Sequence, residues 1–159
     1  MIELIAATYT PFDAAGRLML GVIPRLAAHL AASGVDGVFI GGTTGESLSL
    51  TVAERISLAD AWVGPAREHG LKLMVHVGAS AIADAVALAA HADGLGVEAI
   101  SAMAPSYFKP ATVADLAASE PVAVVHLMAD DRPVLGSGLS ELVRGRCWFA
   151  PLTLAGGEA

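Results

Sequence analysis

The chain has 159 residues, enough for one domain with a real core, and 55% hydrophobic against 16% charged content excludes intrinsic disorder. A formal charge of −7 repels phosphate backbones, so nucleic acid is not an expected partner. Mean hydropathy is high at +0.62, yet Gly, Asp, Glu and His break every apolar run short of the ~18 residues of a spanning helix, so no membrane partner is expected.

Strand-like and helix-like segments alternate with the cadence of βα units. Ile2 to Thr8 is an apolar strand-like run ended by Thr10-Pro11. Val22, Ile23, Leu26, Ala27 and Leu30 recur at helical spacing, and Gly34 stands where a helix end takes a left-handed residue. Val35 to Gly41 reads as a second buried strand. Thr51-Val-Ala-Glu54 is a capping-box pattern that opens a helix with Ile56, Ala59 and Val63 on its inner face. Trp62 adjoins that face. Lys72 to Val77 gives a third strand, and Ser80 opens a helix whose face carries Ile82, Val86 and Ala89 or Ala90, with Gly94 and Gly96 near its end. Ala99 to Ala104 is a fourth strand, and Thr112 with Asp115 opens a fourth helix.

A faint internal repeat relates Ser33-Gly-Val-Asp-Gly-Val-Phe-Ile to Leu95-Gly-Val-Glu-Ala-Ile-Ser-Ala. Parallel strands joined by crossover helices close into a barrel or open into a doubly wound sheet, and periodicity does not choose between them. The cadence then fails. Pro121 to Met128 is one further strand candidate, Ala129 to Pro133 breaks the pattern, and Gly136 to Ala159 has weak periodicity. The expected division is 1–118 and an irregular tail over 119–159.

Met1-Ile2-Glu3 lacks the basic-then-apolar opening of a secretory signal, and the single cysteine, Cys147, allows neither an internal disulfide nor a thiolate zinc site. A cytoplasmic, metal-free protein is expected. The segment with most chemical content is Gly41-Gly-Thr-Thr-Gly-Glu46, directly after the second strand. Its glycines allow close backbone approach, and its threonine hydroxyls and exposed N–H groups suit a carboxylate. The plainer reading is a tight turn whose threonines bond locally.

Four segments carry a resemblance: Thr8-Tyr-Thr-Pro-Phe12, the run from Gly41 through Ser47-Leu-Ser-Leu50 to Glu54-Arg55, His76-Val-Gly-Ala79, and Ala104-Pro-Ser-Tyr-Phe-Lys-Pro110. In this order the chain resembles the dihydrodipicolinate synthase and N-acetylneuraminate lyase family, over about residues 2–118. The resemblance implies an α/β fold, here a partial TIM (β/α)8 barrel of about four βα units, and a pyruvate-dependent class I aldolase or lyase working through a lysine imine. It implies no metal, no organic cofactor and an oligomer. It also implies that Thr43 and Thr44 hold the carboxylate of a small keto acid, and that Tyr107 reaches a neighbouring subunit's site.

Two positions depart from the family. No tyrosine follows Tyr107, and the lysines are Lys72 and Lys109 alone. Lys72 opens the third strand, on the barrel floor; Lys109 is on the rim, in a loop the family uses otherwise. His126 is the nearest polar group to the missing tyrosine. His76, at a strand end, reads as a satisfied core histidine, and His29, His69 and His91 show no ligand spacing. Glu46 is either a supporting acid or a helix-terminus charge. A complete barrel needs about 250 residues. The expectation is therefore a truncated or frame-shifted lyase, inactive alone, with a catalytically dead keto-acid-binding module or an oligomerisation partner of an intact paralogue as alternatives.

Overall fold

Local chemistry sets the helix ends. In this computed structural model, which describes residues 4–103 and two short strands at 128–129 and 132–133, the longest helix starts on the expected capping box. The Thr51 side chain accepts from the Glu54 N–H (3.2 Å), and Glu54 Oε2 accepts from the Thr51 N–H (2.8 Å). Two donors with no helical partner are thereby satisfied.

The elements run β1 (Ile5–Ala7), α1 (Ile23–Ala32), β2 (Gly37–Ile40), α2 (Val52–Glu68), β3 (Lys72–His76), α3 (Ile82–Leu95) and β4 (Ala99–Ser101). Pro24, at the start of α1, supplies a fixed φ where its missing N–H costs nothing. A minimal antiparallel pair, β5 (Met128–Ala129) with β6 (Arg132–Pro133), forms a separate sheet. Met128 closes the strand expected over 121–128; the rest of that strand, the helix expected after Thr112 and most of the tail lie outside the described residues.

β1 to β4 form one parallel sheet in sequential order, with no reversal. In register, Ala7 lies beside Phe39, Phe39 beside Met74 and Met74 beside Ala99; two rows higher, His76 lies beside Ser101. Right-handed crossovers between strands added in one direction put every helix on the same face. α1 packs on α2 and α2 on α3, as that rule requires. A doubly wound sheet would reverse its order at a switch point, so this is the curved arrangement of a barrel wall.

The core lies between sheet and helices. Val38, Ile40, Leu73, Val75 and Ile100 point toward the helices and are buried, while Phe39 and Met74, on the alternate face, are half-buried. The α2 stripe is Leu58, Ala59, Trp62 and Ala66, with Trp62 fully enclosed at its centre rather than beside it. Ile56 and Val63 pack on its margins.

α3 corrects the expected face. Its buried residues are Ala85, Leu88, Ala89 and Ala92, whereas Ile82 and Val86 remain 38% and 39% exposed. Both sets have helical spacing, and the three alanines of the buried set allow close approach of α3 to the sheet. Ser80 does not cap this helix; Ala81 occupies the cap position without a side-chain bond, and Gly96 closes the other end at φ 67°.

Candidate functional site

Parallel strands bring the loops after β1, β2, β3 and β4 to one edge, the C-terminal rim of the wall. The loop after β2 is the Gly41–Glu46 segment. Gly45 folds back onto its start: a Cβ there would lie 3.0 Å from the Gly41 nitrogen, 3.1 Å from the Gly41 Cα and 3.2 Å from the Thr8 carbonyl oxygen. All three neighbours are backbone atoms, so only glycine fits without displacing the chain. Thr10 fastens the loop from the β1 side, its hydroxyl donating to the Gly45 carbonyl at 2.7 Å in a buried bond.

Thr43 and Thr44 are both exposed on this loop, and neither hydroxyl has a hydrogen-bond partner among the described residues. The tight turn of the plainer reading is present, closed by the Glu46 N–H donating to the Thr43 carbonyl at 3.0 Å, but the local threonine side-chain bonds it expected are absent among the described residues. Glu46 ends the loop in the left-handed region at φ 55°, a conformation costing a non-glycine residue about 1 kcal/mol or more. Its exposed carboxylate has no partner among the described residues, and Glu54, not Glu46, serves the start of α2.

His76 ends β3 with its ring edge toward Phe39, centroids 6.2 Å apart and planes at 83°. It is 6% exposed. Burial, and then the nearby Arg55 cation, lower its pKa to about 4 against a backbone bond to Ser101 that raises it. The imidazole is thus neutral at physiological pH. Gly78 stands against this ring, where a Cβ would meet Cε1 and Nε2 at 2.9 Å and the Met103 nitrogen at 2.9 Å.

Lys72 lies at the opposite end of β3, four residues below His76, or about 13 Å at the rise of a parallel strand. It lines a cleft of about 310 Å³ on the floor, with Arg67, Gly70 and Glu98. That cleft is remote from the rim loops. His91 pairs with Asp60 across α2 and α3 at 2.7 Å, and no three His, Cys, Asp or Glu residues converge on a metal position among the described residues. No helix among the described residues is long and apolar enough to cross a membrane. Tyr107, Lys109, His126 and Cys147 lie outside the described residues.

Sequence reasoning missed two rim residues, Thr10 and Arg55. Both stood inside recognised segments, but their partners are remote in sequence: Thr10 reaches Gly45, and Arg55 reaches the carbonyls of His76 and Gly78.

A sequential parallel wall with its helices on one face and a fastened threonine loop on its C-terminal rim defines part of a (β/α)8-barrel protein. The sequence profile of the Dihydrodipicolinate synthetase family matches residues 1–117, and the chain belongs to that family. It is 46% identical over 108 residues to N-acetylneuraminate lyase of Danio rerio, covering 67% of this chain and 35% of that protein. It is 38% identical over 110 residues to N-acetylneuraminate lyase of Homo sapiens, with 69% and 34% covered. Among solved structures, Proteus mirabilis N-acetylneuraminate lyase superimposes with a TM-score of 0.72 at 42% identity, over 77% of this chain and 41% of that one. Dihydrodipicolinate synthase from Aquifex aeolicus gives 0.66 at 30% identity, over 72% and 38%. The chain spans about a third of the length of the curated relatives it matches.

Proposed function

We propose that this chain carries the keto-acid-binding part of a pyruvate-dependent class I aldolase, of the N-acetylneuraminate lyase kind, and that alone it binds the keto acid without turning it over. The observation that carries this reading is the pair of exposed threonines, unpartnered among the described residues, on a loop anchored at the rim. Thr43 and Thr44 would donate to the carboxylate of pyruvate, with the adjoining backbone N–H groups as further donors. Held there, the keto carbon would be oriented for attack by an amine.

Among the described residues no amine stands at that place. Lys72 stands at the floor and Lys109 is the other lysine of the sequence. Imine formation needs a deprotonated amine at the keto carbon, and a general acid–base group to move protons as the carbinolamine loses water. His76 is neutral and close to the rim, but its ring is enclosed by Phe39 and Gly78. In this reading Tyr107 would serve a neighbouring subunit in an oligomer.

Pyruvate titrated into the 159-residue chain should shift the amide resonances of residues 41–46. Thr43→Val and Thr44→Val keep shape and remove the hydroxyl, so each should weaken binding by about 10-fold, the worth of one hydrogen bond to a charged group. Absence of any pyruvate-induced shift, or valine variants that bind as tightly as the parent, would sink the proposal.

A further inference from the structure

The firmest polar contact between elements at the rim belongs to a residue the carboxylate-binding reading leaves unused. Arg55, on the first turn of α2, is only 7% exposed. A guanidinium in such a place ordinarily meets a carboxylate. Here Nη1 donates to the Gly78 carbonyl at 2.8 Å and Nη2 to the His76 carbonyl at 2.6 Å, and Nε has no partner among the described residues. Burial works against its charge, and Asp84 of α3 works in favour of it.

These carbonyls belong to the end of β3, beside the threonine loop. A Cβ on Gly41 would stand 3.8 Å from the His76 carbonyl oxygen, so the first residue of the loop rests against an oxygen that Arg55 holds. Arg55, Gly41 and His76 share one cavity of about 10 Å³, far below the size of a ligand pocket. The contact is closed packing, not a second binding site. Thr10 bonds the loop directly at Gly45, whereas Arg55 bonds the His76 and Gly78 carbonyls beside it. The planar guanidinium reaches two acceptors at once, which the single ammonium of lysine cannot reproduce in the same geometry.

We propose that Arg55 is a positioning residue for the Gly41–Glu46 loop: by gripping the β3 carbonyls from α2, it fixes the backbone N–H groups and threonine hydroxyls in the geometry that receives a carboxylate. For its ligand this rests on the keto-acid reading; for the ordering of the loop it does not.

The test uses the full chain with Arg55→Lys, Arg55→Met and a control, Leu71→Ala, a core truncation on the floor. Amide exchange of residues 41–46 and pyruvate affinity are measured for each by NMR. Both Arg55 variants should accelerate exchange in the loop well beyond the control, and Arg55→Lys should bind pyruvate about 10-fold more weakly. If Arg55→Met does not fold, Arg55→Lys decides alone. Loop exchange no faster than in the control overturns the proposal, as does faster exchange with undiminished pyruvate affinity. Faster exchange in a chain whose parent form binds no pyruvate upholds the ordering role and sinks the keto-acid reading instead.

Discussion

Trp62→Ala should destabilise the chain by about 3–5 kcal/mol, the range for removing a large aromatic side chain from a close-packed core. Trp62 is fully enclosed at the centre of the α2 stripe, in the cluster that includes Leu58 and Ala66. Truncation there leaves a cavity that the flanking strands cannot close, because they are pinned in register to one another. Part of the loss is offset. The indole Nε1 is buried with no acceptor among the described residues, and an unmade bond of that kind costs about 1–3 kcal/mol. Trp62→Phe removes that burden while keeping most of the ring, and should therefore cost no more than about 1.5 kcal/mol. Urea unfolding of both variants checks this; equal losses for Phe and Ala would mean that shape at this position is not what the core requires.

Acid should destabilise the chain through His76 before it does so through the carboxylates. The folded-state pKa of His76 is about 4, mainly because the ring is buried and secondly because Arg55 is near, against an ordinary value of 6.5. Between those values the unfolded chain binds a proton that the folded chain refuses, so stability rises with pH across that window. The contribution is complete above about pH 6.5 and is lost as pH falls toward 4, roughly 3 kcal/mol in all. Asp13 is held below its usual value by its backbone and side-chain bonds with Arg17, and Glu54 by its bonds with Thr51. Those two act in the same direction, but mainly below their ordinary values of 3.8 and 4.5, beneath most of the histidine window. His76→Gln, which cannot charge, should flatten the dependence between pH 6.5 and 4.5. An unchanged slope in that variant would show that the ring is already hydrated in the folded chain.

What was legible in the sequence was local. The capping box at Thr51 and Glu54 needs four residues to be seen, and the start of β3 at Lys72 needs only the apolar run that follows. Gly34, at φ 79°, stands at the end of α1 as its position suggested. The inner face of α3 was not legible, because a helix rich in alanine, with only Asp84, His91 and Asp93 as charged or titratable residues, offers several apolar stripes at helical spacing. Contact with the sheet selects Ala85, Leu88, Ala89 and Ala92.

Barrel wall and doubly wound sheet could not be separated by periodicity, since both repeat strand and helix. Strand order separates them, and strand order is a long-range property. The rim shows the same division. The glycine and threonine loop could be read directly, whereas the side-chain bonds at and beside it could not. Thr10 acts across 35 residues and Arg55 across 21 and 23. The left-handed Glu46 was equally hidden, because glutamate carries no signal for that conformation.

On the proposed function, residues 41–46 receive a carboxylate and neither Lys72 nor Lys109 supplies the amine that would complete the chemistry. Incubation with pyruvate and borohydride, followed by intact-mass measurement, tests it most directly, because reduction traps any imine irreversibly. The account predicts an unchanged mass under conditions where pyruvate shifts the amides of residues 41–46. A mass gain of one reduced pyruvate, mapped by peptide sequencing to Lys72 or Lys109, would contradict it.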